Sequence, residues 1–394
     1  MKGKQVSTPK IARTTTRLRV LVVGFAYIIG VYQSKLKAIQ DTGSVDVAWL
    51  APLKWNMRSW KRIIPLENKF KQIRVYPVHI QFLNGINGGY LYPLLSTWRA
   101  INNFKPDILH YEQEAFSLSA FQMALFARLL KIPFTIFCWE NIEKPLAFYR
   151  RWTTRYVLDA ANTIVVGNNE AEQILRNWGY NRKIVVMPQI GVDTNLFFRQ
   201  HRPSPGRVFT IGYIGRLVPE KGVDLLFDAA RYLIQKGIIF RIIVCGSGSS
   251  ESELRSYAEA LMISETISWL GPIKHEDIPE VLVQTDAVVL PSRTKPGIWK
   301  EQFGHILIEA MAMGIPVIGS NSGAIPEVIG RTDLIFSEDN SEELALILQK
   351  LLIDKEWAGE VSRFLEERAI KEYSDQKIAD LMLSIWAEIV VAQK

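Results

Sequence analysis

The sequence predicts an α/β protein made of two Rossmann-like, doubly wound parallel-sheet domains. Three observations carry this. Short uninterrupted apolar runs, such as RVLVVG at residues 19–24 and FRIIVC at residues 240–245, have the length of strands buried on both faces. They alternate with segments of helical spacing, the order that builds parallel sheets. The alternation occurs twice, on either side of residues 201–207, where Pro203, Pro205 and Gly206 give a linker composition. A length of 394 residues and a hydrophobic content of 48% suit two sizeable cores and argue against disorder.

In chain order, strands are expected at residues 19–24, 45–50, 73–78, 107–111, 134–138, 163–166 and 184–187, with helices at 31–39 and 170–178. The second half gives strands at 209–213, 240–245, 267–270, 287–290 and 315–318. Its helices are expected at 223–235, 253–261, 278–284, from Phe303-Gly304 to Gly314, at 341–352 and at 357–369. Ser374 can cap a last helix running to about Val391, whose apolar positions are Ile378, Leu381, Met382, Ile385 and Ile389. The expected divisions are a disordered basic tail at 1–17, a first domain at 18–200, a second at 207–373 and the helix at 374–394.

Charge is uneven. Residues 1–200 hold 27 Lys and Arg against 12 Asp and Glu, while the remainder holds 20 against 28. The first half therefore suits an anionic partner, whether a membrane surface or an acidic acceptor, unless it is simply a soluble basic surface. Nucleic acid is disfavoured, because no recognised nucleic-acid module is present. Residues 49–62 interleave Trp49, Trp55 and Trp60 with Lys54, Arg58, Lys61 and Arg62. This reads either as a membrane-docking surface or as an amphipathic helix with its tryptophans packed inward. Cys138 and Cys245 both lie in apolar strand runs and read as buried free thiols of a reducing compartment. Residues 20–32 follow a basic stretch, as in a signal peptide. They lack a small-residue cleavage pattern and are too short to span a bilayer, so a first strand and a cytoplasmic protein are expected.

Residues 291–327, PSRTKPGIWKEQFGHILIEAMAMGIPVIGSNSGAIPE, concentrate the chemistry. A loop leads through Phe303-Gly304 into an apolar helix, and a helix start offers free N–H groups and partial positive charge to a phosphate. A carboxylate along that helix can accept hydrogen bonds from sugar hydroxyls. Upstream, Arg216 and Lys221 in GRLVPEKG can converge on a diphosphate, one as a planar fork and one as a point charge. Backbone N–H groups at Gly215, Gly246, Ser247 and Gly248 lie at expected strand ends, where ligands of open α/β sheets bind. In the first half, Gly24 and Gly30 would let backbone approach a phosphate or acceptor closely. Glu112 and Glu114 either bind an acceptor hydroxyl or sit in a solvated loop. Glu140 is the best polar group at the strand end Trp139-Glu140-Asn141.

Glu301 and Glu309, spaced by seven residues in EQFGHILIEAMAMGIPVIGS, resemble the glutamate pair of the family-4 retaining glycosyltransferases of GT-B fold. SNSGAIPEVI and GRLVPEKG are similar to that family's motifs too, so the likeness is strong over residues 184–327 and mainly topological before them. The resemblance implies two domains facing across a cleft, with the last helix crossing back to the first domain. It implies a nucleoside-diphosphate sugar donor, UDP or GDP by preference, and no cofactor. Transfer with retention by a front-face route would need no metal, in keeping with the absence of an Asp-x-Asp motif. Arg216, Lys221 and Glu301 would be catalytic, with Glu301 on a donor-sugar hydroxyl. Glu309 would hold the ribose, and Gly215, Gly246, Ser247, Phe303, Gly304, His305 and Ile306 would line the donor. His305 would act chiefly through its backbone N–H. Gly30, Glu112, Glu140 and Asn141 would face a lipid-linked or saccharide acceptor, as in capsular or exopolysaccharide assembly. Many relatives carry histidine where Trp139 stands here, which puts histidine-based acceptor activation in doubt. The competing readings are another GT-B enzyme, such as an epimerase or phosphorylase, and a non-catalytic sugar-nucleotide binder docked on a membrane.

Overall fold

The computed structural model describes residues 17–57, 62–82, 89–199 and 207–392. Most of the expected basic tail, residues 58–61, the loop 84–88 and most of the linker lie outside them.

The first sheet has seven strands in the order β5-β2-β1-β6-β7-β8-β9. They are β1 Leu18–Gly24, β2 Val45–Pro52, β5 Arg74–Val78, β6 Ile108–Glu112, β7 Phe134–Cys138, β8 Thr163–Val166 and β9 Ile184–Val186. Between β2 and β5, β3 (Lys54–Met57) and β4 (Arg62–Pro65) form a separate antiparallel ribbon. The connecting helices are α1 Ser34–Asp41, α2 Leu94–Phe104, α3 Leu118–Leu130, α4 Phe148–Ala160 and α5 Asn169–Asn177. β1 runs parallel to both β2 and β6, and Val20, Leu21, Val22 and Val23 are fully buried at the sheet's centre.

The second sheet has the order β12-β11-β10-β13-β14-β15. Its strands are β10 Phe209–Ile214, β11 Phe240–Cys245, β12 Ile267–Gly271, β13 Ala287–Leu290, β14 Val317–Ser320 and β15 Ile335–Phe336. The helices are α6 Val223–Gln235, α7 Glu251–Ala260, α8 Ile278–Leu282, α9 His305–Ala312, α10 Ile325–Ile329, α11 Ser341–Ile353, α12 Lys355–Arg368 and α13 Asp375–Val391. The expected α/β class and parallel topology are therefore present. Ser374 caps α13, its Oγ accepting from Lys377 N–H at 3.2 Å. Cys138 and Cys245 are buried thiols that form no disulfide.

By compactness the chain divides into two units. One takes the residues up to Ile136, Ala160–Thr163 and those from Ala379 onward; the other takes Phe137–Asp159 and Ile164–Ile378. This partition departs from the split expected at 200–207. The reason is local: Asn141, Asn168 and Glu170 hydrogen-bond to the loop 300–302, and Val192 exchanges backbone bonds with Tyr373 and Asp375.

The aromatic-basic segment 49–62 contains no helix among its described residues. Trp49 lies on β2, 1% exposed, and donates from Nε1 to Gly24 O at 2.9 Å. Trp55 lies on β3 and stacks on Phe25 at 3.8 Å. Alternating side chains of an extended chain, rather than helical spacing, set the pattern here. Trp49 is wholly used in packing and Trp55 is half-buried, while Arg58, Trp60 and Lys61 lie outside the described residues.

Candidate active site

The strand ends of the second sheet and the start of α9 bring the central residues together. Glu301 is 7% exposed. Its Oε2 accepts from Lys221 Nζ at 2.5 Å and from Ser292 Oγ at 2.9 Å. Burial alone would raise its pKa, but the Lys221 ammonium and the Ser292 hydroxyl outweigh it and hold the carboxyl below its ordinary value. Lys221 also lies 5.2 Å over the Trp299 ring. It ends a short turn at Pro219–Lys221, and Gly222 follows at φ +63°. A side chain at Gly222 would put its Cβ 2.0 Å from Pro291 O, so only glycine allows the two loops to close on each other. Tyr213 donates to Arg216 O at 2.6 Å and fixes the loop from below, while the Arg216 guanidinium approaches Glu220 at 4.0 Å.

The backbone of Glu301 is pinned as well. Its carbonyl accepts from Ala324 N at 3.0 Å and from Asn141 Nδ2 at 3.1 Å. Asn168 Nδ2 donates to Gln302 O at 3.0 Å, and Lys300 pairs with Glu170 at 2.6 Å. Gly323 sits beneath this carbonyl at φ +51°, where a Cβ would stand 2.1 Å from the oxygen. Gly323→Ala is therefore expected to lower stability by about 2 kcal/mol or more and to reduce activity by moving Glu301. A thermal melt compared with an activity assay checks this.

Helix α9 follows Gly304, φ +81°, which has no side chain to cap it; the Leu307 N–H donates to the Gly304 carbonyl at 2.9 Å. Phe303 packs edge-on to Tyr373 at 5.8 Å and against His305 at 5.1 Å. His305 and Glu309, four residues apart, share a helix face. Burial lowers the pKa of His305, so the ring is neutral near pH 7. Ile306 is buried in the core. Glu309 is 6% exposed, and its Oε1 lies 2.6 Å from His275 Nε2.

Other expected positions behave differently. Gly246 N–H donates to Gly271 O at 2.8 Å, so its amide is not spare for phosphate. Its part is steric: φ is +139° and a Cβ would meet Gly215 O at 1.9 Å. The Gly215 N–H donates to Cys245 O at 2.9 Å, while Ser247 is exposed and its carbonyl holds Leu217 N–H at 3.0 Å. Gly30 donates its N–H to Glu67 Oε2 at 2.5 Å, and a Cβ at Gly24 would meet Glu112 O at 2.9 Å. Both glycines thus serve internal packing. Glu112 is neither a solvated loop residue nor open to an acceptor. It is fully buried, and its Oε1 lies against Tyr27 Oη, Lys35 Nζ at 3.0 Å and His110 Nε2 at 3.2 Å. Glu114 is buried too. Glu140 pairs with Lys144 at 2.7 Å. Asn141 faces Glu170 and the Glu301 carbonyl.

The sequence reading missed Ser292 and His275. Ser292 is the second residue after β13, so the rule placing ligands at strand ends could have found it. His275 lies on the β12–α8 connection, 34 residues from Glu309, and no spacing signals the pair.

Two parallel α/β sheets carrying this glutamate-bearing helix define the GT-B fold. The sucrose-phosphate synthase structure from Thermosynechococcus elongatus superimposes with TM-score 0.72 at 16% identity, covering 95% of this chain and 100% of that one. The chain belongs to the glycosyl transferases group 1: residues 195–372 match that family and residues 58–196 match Glycosyltransferase Family 4. A GDP-mannose-dependent monoacylated alpha-(1-6)-phosphatidylinositol monomannoside mannosyltransferase of Corynebacterium glutamicum is 34% identical over 141 residues, 35% of this chain and 36% of that protein. The D-inositol 3-phosphate glycosyltransferase of Corynebacterium jeikeium is 27% identical over 262 residues, 61% of this chain and 60% of its own. The matched part is thus less than two thirds of either relative.

Proposed function

We propose that the protein is a retaining glycosyltransferase that moves a sugar from a nucleoside-diphosphate sugar to a lipid-linked or saccharide acceptor. The observation that carries this is the cluster of Glu301, Lys221 and Ser292, with Glu301 four residues before the start of α9. Charge develops on the departing diphosphate, and preorganised positive charge lowers that barrier most. Lys221, Arg216 and the α9 N–H groups supply it, and Glu301 accepts a donor-sugar hydroxyl. Glu309 accepts the ribose hydroxyls, with His275 holding its other side. Front-face attack, in which the leaving phosphate takes the acceptor proton, requires no enzymic nucleophile. The missing Asp-x-Asp motif supports metal independence. Family membership and the named relatives support the donor and acceptor classes.

Calorimetric titration with UDP, GDP and ADP, with and without Mg²⁺, tests the donor site. Binding of one nucleotide, unchanged by metal, is expected; a donor-sugar panel on that nucleotide and an acceptor-dependence assay then follow. Donor consumption without acceptor, or only with orthophosphate, would overturn the transferase reading. Glu309→Ala is expected to weaken donor binding by at least about tenfold, as loss of charged hydrogen bonds does, and to lower turnover with it. Unchanged turnover in this variant would sink the ribose assignment.

A further inference from the structure

We infer that helix α4 docks the protein onto an anionic membrane surface. Its buried stripe is Thr153, Thr154, Val157 and Leu158. The opposite side leaves Phe148 84%, Trp152 63% and Tyr149 53% exposed. Phe148, Trp152 and Tyr156 succeed one another at intervals of four, so they form one stripe along the helix. The Trp152 and Tyr156 rings lie 6.2 Å apart, and Phe148 meets Tyr149 edge-on at 5.8 Å. Arg151 and Arg155 run along the same side, one residue before Trp152 and Tyr156.

A contiguous aromatic stripe on water marks an interaction surface, and the charge selects the occupant. The helix carries Arg150, Arg151 and Arg155 against a single acid, Asp159, which already pairs with Arg155 at 3.3 Å. Amphipathic aromatic rings favour the lipid interface, and each nearby arginine is attracted to anionic headgroups. A helix of 13 residues lies in the plane of the interface rather than across it. Among the described residues no helix is long and apolar enough to cross a membrane. The placement also serves the proposed reaction. Asn141, whose amide holds the Glu301 carbonyl, is seven residues from Phe148, so the two lie within about 25 Å. A lipid-borne acceptor would then be presented near the donor carboxylate; this clause alone rests on the proposed activity.

Flotation of the full chain with phosphatidylcholine vesicles, with and without about one third phosphatidylglycerol, tests the docking. Binding is expected only to the anionic vesicles and should weaken with salt. The double variant Phe148→Ser/Trp152→Ser should lose at least about tenfold in vesicle affinity. Arg151→Ala/Arg155→Ala should lose about tenfold or more and most of the salt dependence. Both should keep the far-UV dichroism and nucleotide-binding heat of the parent, so lost docking and a misread donor site are separable. No binding by the parent, equal binding to zwitterionic vesicles, or undiminished binding by the aromatic variant would overturn the proposal. So would a parent dimer that becomes a monomer in the aromatic variant without vesicle binding, which would give the stripe to a second copy of the chain.

Discussion

Replacing Lys221 with alanine is expected to lower turnover by about 10²–10³-fold, the usual cost of removing one preorganised charge at a developing anion. Lys221 does two things, and the variant removes both. It would offer positive charge to the departing diphosphate, and it neutralises Glu301, whose carboxylate is almost fully buried. Lys221→Ala leaves that carboxylate with the Ser292 hydroxyl and the field of Arg216 but no ion-pair partner, and breaking a buried pair in this way costs about 3–5 kcal/mol. Melting temperature should therefore fall along with rate. The double variant Lys221→Ala/Glu301→Gln separates the effects: it should recover most of the stability, since the charge is gone, and none of the turnover. If the single variant kept normal turnover in single-turnover kinetics, Lys221 would be a structural partner of Glu301 only.

Lys35→Met is expected to destabilise the first unit by about 3–5 kcal/mol for the same reason. Lys35 is 1% exposed and Glu112 is fully buried, so nothing from solvent replaces the ammonium. Burial favours the neutral acid, yet Lys35, His110 and Tyr27 together hold the Glu112 carboxyl down at about 2. An unfolded glutamate titrates near 4.5. The folded pKa is the lower one, so this group's stabilisation is fully present above about pH 4.5 and is lost as pH falls towards 2, on the order of 3 kcal/mol in all. His110 acts in the same direction. Burial lowers its pKa, so the unfolded ring takes up a proton first as pH drops through 6.5. Its bonds fit a neutral ring, with Nε2–H donating to Glu112 and Nδ1 accepting from Thr135 Oγ at 2.8 Å. Stability measured by urea melts between pH 3 and 7 should thus fall towards acid. Glu112→Gln should flatten the lower part of that slope; a slope unchanged in that variant would place the acid sensitivity elsewhere.

What was legible in the sequence follows from how each element is stabilised. β11 and α6 were readable to the residue, because a strand buried on both faces is apolar throughout and α6 ends where its apolar spacing ends. Helices α2, α3 and α4 gave no such signal. α3 mixes Ser119, Gln122 and Arg128 into a largely apolar stretch, and α4 turns its aromatics outward. The β3–β4 ribbon was misread because tryptophans among bases suit an amphipathic helix as well as a hairpin. At the site, Glu301, Glu309, Arg216 and Lys221 stood in local motifs, and local motifs survive in sequence. Glu112 did not: its partner Lys35 is 77 residues away, and one carboxylate after a strand looks the same whether solvated or sealed. The internal uses of Gly30 and Gly246 were hidden for the same reason, since Glu67 and Gly271 reach them only through the fold.

The seal around that carboxylate also sets a timetable for biogenesis. His110 packs against Trp386 at 5.7 Å, on the helix that closes the first unit. Translation delivers these rings roughly 270 residues apart, which at about 5–20 residues per second is tens of seconds. During that interval the His110 ring, beside Glu112, lacks its Trp386 neighbour, while the chain of the second sheet emerges as one continuous segment. Ribosome-stalled chains ending before Trp386 should therefore resist proteolysis in the second sheet before they do so in the first, reversing the order in which the two are made.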